Sequence, residues 1–129
     1  FETVTQLMAN CPLRTSNDIK NFHAEFFERG GDFLLSCFKF GWMNPWWAFK
    51  LDEHHKHSFL FADALKQRSQ DLDELFCPTG SIWMAKTEAF KKSRSFYGKN
   101  HQFEEINWIS AVDIDDENDL HFAKLLCSP

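Results

Sequence analysis

Apolar and polar positions follow two different periods along this chain. Residues 3–8, "TVTQLM", alternate loosely and run into "NCPLRT", with Pro12 inside it, so a buried strand feeding a loop is expected. The next stretch, "TSNDIKNFHAEFFERGG", repeats at helical spacing: Ile19, Phe22, Phe26 and Phe27 share one face, Thr15 or Ser16 offers a cap, and Gly30-Gly31 a stop. "DFLLSCFKF" then stays apolar almost throughout, as a strand covered on both faces does. Strand, helix, strand is the unit of a parallel α/β sheet.

Residues 41–66 leave that rhythm. The segment "GWMNPWWAFKLDEHHKHSFLF" sets three tryptophans around a polar middle and reads as a hairpin-like excursion. Exposed tryptophan there marks a partner surface, with a second copy of the chain as the expected partner. "ADALKQRSQDLDELFCPTG" follows as a polar loop or short helix, "SIWMAK" as a strand, and "TEAFKKSRSF" as a short helix capped by Thr87. "NWISAVDI" is the expected last strand. A final helix from Asp116 to Cys127 is expected to bury Leu120, Ala123, Leu126 and Cys127. No repeat or low-complexity segment interrupts the 129 residues, which read as a single domain.

Composition narrows the function classes. The chain is 43% hydrophobic and 16% aromatic, with 15 Phe and 5 Trp, so many rings must be buried or packed on a partner. A net charge of −5 without a basic stripe excludes a nucleic-acid binder. No apolar run is long enough to span a membrane and no signal peptide is visible. Cys11, Cys37, Cys77 and Cys127 lack Cys-x-x-Cys spacing and read as buried thiols of a cytoplasmic protein. The chain starts at Phe1, inside an expected strand, so further chain upstream is expected.

The chemistry concentrates in "VDIDDENDL", five carboxylates within seven positions. Asp113 and Asp115 alternate at the end of the expected strand, and hard oxygen ligands at such an edge suit Mg²⁺ or Mn²⁺. Asp116, Glu117 and Asp119 suit a helix start instead, as cap and first-turn anions. On residue types alone both readings of the cluster stay open. An EF-hand fails, because Asn118 and Lys124 stand where its Gly and Glu belong. His54, His55 and His57 could share a metal, but flanking Glu53 and Lys56 read as a solvated loop tip. Arg14 follows a strand, where a guanidinium either forks onto an anion or packs locally. Arg68 and Gln70 form a polar pair in a loop. Thr79 and Gly80 precede a strand, allowing close approach of a ligand or simply a turn. Neither G-x-x-x-x-G-K-[ST] nor G-x-G-x-x-G occurs.

In order, "LMANCPLRT", "RSQDLDELF", "PTGSIWMAK" and "VDIDDENDL" resemble four motifs of the CMP-sialate (acylneuraminate, or nonulosonate) cytidylyltransferases. The family versions read L-Q-P-T-S-P-L-R, R-Q-D-L-P, N-G-A-I-Y and D-I-D-x-x-x-D-L, and lie in the C-terminal half. The resemblance implies a truncated Rossmann-like nucleotidyltransferase fold: a mostly parallel sheet, helices on both faces and a dimerisation excursion. It implies transfer of CMP from CTP to a nine-carbon acidic sugar, with Asp113 and Asp115 as catalytic, Mg²⁺-binding (or Mn²⁺-binding) residues. Asn10, Arg14, Gln70, Thr79 and Trp83 stand at sugar-site positions. Lys50 and Arg68 would reach the sugar carboxylate of the neighbouring subunit in a homodimer, and Phe96 and Tyr97 would pack on its acyl group. Met8, Asn10, Cys11, Ser69, Thr79 and Trp83 depart from the sialate pattern towards pseudaminic- or legionaminic-type sugars. The basic, glycine-containing loop similar to A-R-G-G-S-K-G, which holds the CTP phosphates, has no counterpart in this chain. CTP would therefore bind only with the missing N-terminal half. The alternative is a non-catalytic dimeric module that keeps the fold alone.

Overall fold

The computed structural model describes residues 1–127; Ser128 and Pro129, included in the single-domain reading, lie outside the described residues. The chain forms two compact units. One comprises Phe1–Phe38 and the segment from Pro78 onward, and the other is Lys39–Cys77.

The first unit is α/β. A four-stranded sheet has the order β1-β5-β2-β6, from β1 (Thr3–Gln6), β2 (Phe33–Lys39), β5 (Phe76–Lys86) and β6 (Gln102–Glu105). The sheet is mixed rather than mostly parallel. β2 and β6 run parallel, with Leu34 opposite Gln102 and Cys37 opposite Glu105, whereas β1 and β5 run antiparallel, with Thr3 opposite Lys86 and Gln6 opposite Trp83. The strand–helix–strand rhythm at the N-terminus does hold, but β5 inserts between β1 and β2.

Helix α1 (Ser16–Arg29) starts at Thr15, whose hydroxyl accepts from the Asp18 N–H at 3.2 Å while the Asp18 carboxylate accepts from the Thr15 N–H at 2.7 Å. This reciprocal box satisfies two of the four orphan donors of the first turn. The helix ends at Gly30, in the left-handed conformation that glycine adopts without a Cβ clash. Phe22 and Phe26 are buried with Leu34, Ile82, Met84, Ile106 and Ala111, and Ile19 packs against them. Phe27 departs from expectation: it is exposed, in ring contact with His23 and Phe26.

The other buried cluster joins Phe33, Leu35, Ala85 and Phe96, with Ala89 and Phe90 of α2 (Thr87–Ser93) against it. Leu34 and Leu35, like Met84 and Ala85, point to opposite faces because strand side chains alternate. The two clusters therefore fill opposite faces of one sheet, α1 covering the first and α2 the second.

Three local expectations are corrected. Residue Lys86, not Thr87, is the N-cap of α2; Thr87 is the first helical residue, and its hydroxyl is buried without a hydrogen-bond partner. The segment 107–114, "NWISAVDI", is not the last strand. The Asn107 side chain accepts from the Ile109 N–H at 2.9 Å, and the Ala111 and Val112 N–H groups bond back to Asn107, Trp108 and Ile109, so a turn replaces the ladder. Its place beside β2 is taken by β6. Finally, of the residues expected to be buried by α3 (Glu117–Cys127), only Ala123 is; Leu120 and Cys127 are exposed and Leu126 is half-buried.

The second unit contains the hairpin β3 (Phe49–Leu51) and β4 (His57–Phe59), antiparallel with Phe49 opposite Phe59. Short 3₁₀ turns at Pro45–Trp47, Ala62–Lys66 and Ser69–Asp71 complete it, and Ala64 is buried there. Histidines 54 and 55 sit at the hairpin tip, and His57 opens β4.

Candidate functional site

Three segments distant in sequence meet in the first unit: the loop after β1, the middle of β5, and the turn leading to α3. Thr79 and Gly80 lie inside β5 rather than before a strand, because the strand begins at Phe76. The room above Gly80 is filled by Met8: a Cβ there would come within 2.0 Å of the Met8 sulfur. That leaves a packing reason for the glycine in place of a ligand's approach.

Buried hydroxyls tie the segments together. Ser36 Oγ donates to the Thr79 carbonyl at 2.9 Å and accepts from the Ile82 N–H at 2.9 Å. Thr79 Oγ1 donates to the Ala111 carbonyl at 3.2 Å, and Ser81 Oγ donates to the Ser110 carbonyl at 2.9 Å. Arg14 Nη1 donates to the Ser81 carbonyl at 2.6 Å and to the Met8 carbonyl at 3.2 Å. Of the two readings open for Arg14, this nitrogen follows the local one and braces the β1 loop against β5. A guanidinium has further donors.

The fate of the carboxylates divides cleanly. Asp116 Oδ1 accepts from the N–H groups of Asn118 at 2.7 Å and Asp119 at 3.0 Å, while Asp119 Oδ2 accepts from Asp115 and Asp116, both at 3.1 Å. That is a second capping box, and Glu117 and Asp119 supply the first-turn charge. The carboxylates of Asp113 and Asp115 take no part in it. They do not alternate along a strand but follow the 108–111 turn, in a segment pinned by the Ile114 N–H donating to the Asn10 carbonyl at 2.9 Å. Asn10 Nδ2 also lies 3.5 Å from Asp115 Oδ1.

Between the β1 loop and this segment lies Cys11, 2% exposed. Burial pushes its thiol pKa up, Asp113 and Asp115 add to the rise, and Arg14 and a hydrogen bond with Thr79 oppose it. Direct bonds join Asn10 to Asp115, Arg14 to Ser81 and Thr79 to Ala111, which gathers these side chains in one region of the first unit. Among the described residues no three His, Cys, Asp or Glu side chains gather as a metal-binding group. Two exposed carboxylates are nonetheless a fitting donor set for Mg²⁺, which commonly takes one or two and completes its octahedron with water and phosphate. They do not fit a caged transition metal.

Trp83 joins this centre to an aromatic group. Its indole N–H donates to the Thr79 carbonyl at 2.7 Å, and its ring meets Phe96 and Tyr97, each at 5.6 Å between centroids. Phe96 is 6% exposed, so the contact surface is offered by Trp83 and Tyr97, the latter 47% exposed. Asn10, Arg14, Thr79, Trp83, Phe96, Tyr97, Asp113 and Asp115 thus all lie in the first unit. Lys50, Arg68 and Gln70 lie in the second. Lys50 is exposed in β3, Gln70 is exposed in a 3₁₀ turn, and Arg68 forms a forked ion pair with Asp71 at 2.8 and 3.2 Å.

Along 126 residues the chain is 25% identical to two proteins described as pseudaminic acid cytidylyltransferase, from Campylobacter jejuni serotypes O:23/36 and O:2. The chain is distantly homologous to these cytidylyltransferases. The match takes in 98% of this chain and 54% of each relative, so the chain spans about half the length of the curated relatives it matches. This is consistent with the C-terminal half of a CMP-nonulosonate synthetase-like protein. No protein-family model matches it.

Sequence reasoning missed Ser36, Ser81 and Ser110, all buried in or beside this network. A signal existed. Each serine stands alone in an apolar run ("LLSCF", "GSIWM", "WISAV"), where a hydroxyl must find a partner once buried.

Proposed function

We propose that this chain is the sugar- and metal-binding part of a CMP-nonulosonate synthetase acting on pseudaminic- or legionaminic-type sugars. The observation that carries this reading is the bonded network that sets Asn10 against Asp115, Arg14 against Ser81, Thr79 against Ala111 and Trp83 against Thr79. Distant homology to pseudaminic acid cytidylyltransferases supports it from an independent direction.

In the complete reaction the sugar's anomeric hydroxyl attacks the α-phosphorus of CTP and pyrophosphate leaves. The barrier falls through in-line placement and neutralisation of phosphate charge. Asp113 and Asp115 would hold Mg²⁺ or Mn²⁺, which supplies that neutralisation. Asn10 would orient Asp115 and contact the sugar, Arg14 would offer its remaining guanidinium donors to an anionic group, and Trp83 with Tyr97 would form an apolar wall for an acyl substituent. In a homodimer Lys50 and Arg68 would serve the neighbouring copy's sugar carboxylate, and Gln70 takes its sugar contact from the family resemblance alone. The fold in this reading is a truncated Rossmann-like one, and the compartment is the cytoplasm. No helix among the described residues is long and apolar enough to cross a membrane.

The exposed apolar side chains of the second unit, Trp42, Met43, Phe49, Leu51 and Leu60 among them, favour a second reading, a dimeric module that keeps the fold without catalysis. Titrating the ¹⁵N-labelled chain with pseudaminic acid separates the two. Shifts centred on Asn10 and the Trp83 indole N–H are expected; a spectrum unchanged at millimolar sugar overturns the sugar-binding reading. With CTP, Mg²⁺ and sugar together, this chain alone is expected to release no pyrophosphate.

A further inference from the structure

We infer that Thr79 and Ser81 are positioning residues that set the aspartate segment, Thr79 acting through its hydroxyl on the backbone of Ala111 rather than on a bound sugar. The inference rests on the reading of Asp113 and Asp115 as the metal-binding pair, and it revises the sugar-contact role that the family resemblance gives Thr79.

The geometry leaves Thr79 little else to do. The residue is 6% exposed, and its hydroxyl already has two partners: it donates to the Ala111 carbonyl at 3.2 Å and accepts from the Ser81 N–H at 3.3 Å. A hydroxyl has one proton and two lone pairs, so its proton is committed and one lone pair is taken. Its carbonyl is equally engaged, by Ser36 and by the Trp83 indole.

The consequence falls two residues further on. The segment carrying Asp113 and Asp115 has no strand partners to fix it, because the chain turns at 108–111 instead of pairing. It is held at both ends by other means. Upstream, Ser81 and Thr79 grip the consecutive carbonyls of Ser110 and Ala111. Downstream, the Asn10 carbonyl holds the Ile114 N–H and Asp119 holds the Asp115 N–H. Only the upstream grip depends on side chains of β5, the longest strand and one of the two inner ones. Residues that orient metal ligands from behind typically change affinity by about 10- to 100-fold when lost.

Thr79→Val keeps the shape and removes the hydroxyl, while Thr79→Ser keeps the hydroxyl. Two readouts on the isolated chain suffice: amide hydrogen exchange at residues 111–115, and Mn²⁺-induced broadening of the Asp113 and Asp115 amide signals. Thr79→Val is expected to speed exchange across the segment and to raise the Mn²⁺ concentration for half-broadening by about tenfold, with Thr79→Ser close to the parent on both. Ser36→Ala, which loosens the same strand without touching Ala111, serves as control and is expected to leave Mn²⁺ broadening unchanged. Unaltered exchange in Thr79→Val overturns the positioning role, as does Thr79→Ser behaving like Thr79→Val, or Ser36→Ala weakening Mn²⁺ equally. If the parent chain shows no Mn²⁺ broadening at these amides while Thr79→Val still speeds exchange, the metal reading is what fails, and the grip is merely structural.

Discussion

The two compact units of this chain are held together by opposite kinds of contact. In the first, side-chain hydrogen bonds join residues far apart in sequence: Ser81 to Ser110 across 29 positions, Ser36 to Thr79 across 43, and Arg14 to Ser81 across 67. In the second, Arg68 pairs with Asp71 and Lys66 with Asp63, each three apart, on exposed side chains. The longer side-chain ties there, Lys39 to Glu74 and the Trp46 indole to the Asp73 carbonyl at 2.9 Å, are exposed as well. Long-range buried bonds place backbone from three segments at one point, and a missing partner inside them leaves a polar group stranded. Exposed pairs three apart hold a turn and little more. The first unit is built to fix positions, the second to present a surface.

Truncating a core side chain of the first unit tests that difference most strongly. Phe22 is 1% exposed and packs Leu34, Ile82 and Met84, so Phe22→Ala is expected to cost about 3–5 kcal/mol in urea unfolding. A loss below about 1 kcal/mol would show that α1 does not seal that face of the sheet. A smaller effect sits at the helix start beside the site. Burial alone would raise the Asp18 pKa, but hydrogen bonds from the Thr15 backbone and hydroxyl and from Ser110, with Arg14 nearby, hold it below the ordinary 3.8. Its contribution is therefore complete above the unfolded value and disappears as pH falls through the lower folded one. Thr15→Ala is expected to cost about 1 kcal/mol near neutral pH. Asp18→Asn should flatten the loss of stability as pH falls below the ordinary aspartate value; an unchanged acid limb would remove Asp18 from the account.

Most elements of the fold were legible in the sequence, and what misled is physically specific. α1 announced itself through Thr15, the Phe22 and Phe26 stripe and Gly30, because cap, face and stop are all local. The run "NWISAVDI" looked like a strand on apolar content, yet the Asn107 side chain closes a turn on Ile109, and a local hydrogen bond outcompeted the ladder. "QFEE", with its charges, is the strand instead, since pairing with β2 gives its backbone partners and leaves Gln102, Phe103 and Glu105 exposed. Antiparallel insertion of β5 was invisible for a different reason: strand order is decided by contacts tens of residues apart. At the candidate site, residue identities came from motif order, but the work of Arg14 Nη1 and Thr79 did not. Both bond to backbone carbonyls, and no side-chain pattern reveals which carbonyl lies opposite.

The mildest expected effect on stability belongs to the second unit and carries the most information about it. Trp42 is 86% exposed and Met43 70%, beside Phe49, Leu51, Leu60 and Leu65, all at least partly open. A cavity of about 510 Å³ among Trp46, Leu60, Phe61 and Leu72 opens on the same unit. Isolated surface apolar residues are ordinary, but a concentration of this kind on one small unit is not. Replacing both Trp42 and Met43 by serine should change unfolding free energy by no more than about 0.5 kcal/mol, because neither is packed in the core. If the excursion joins two copies, the same double variant shifts sedimentation from dimer to monomer with the core intact. A parent chain that sediments as a monomer, or a variant that stays dimeric, would leave the second unit a surface whose partner is something other than itself.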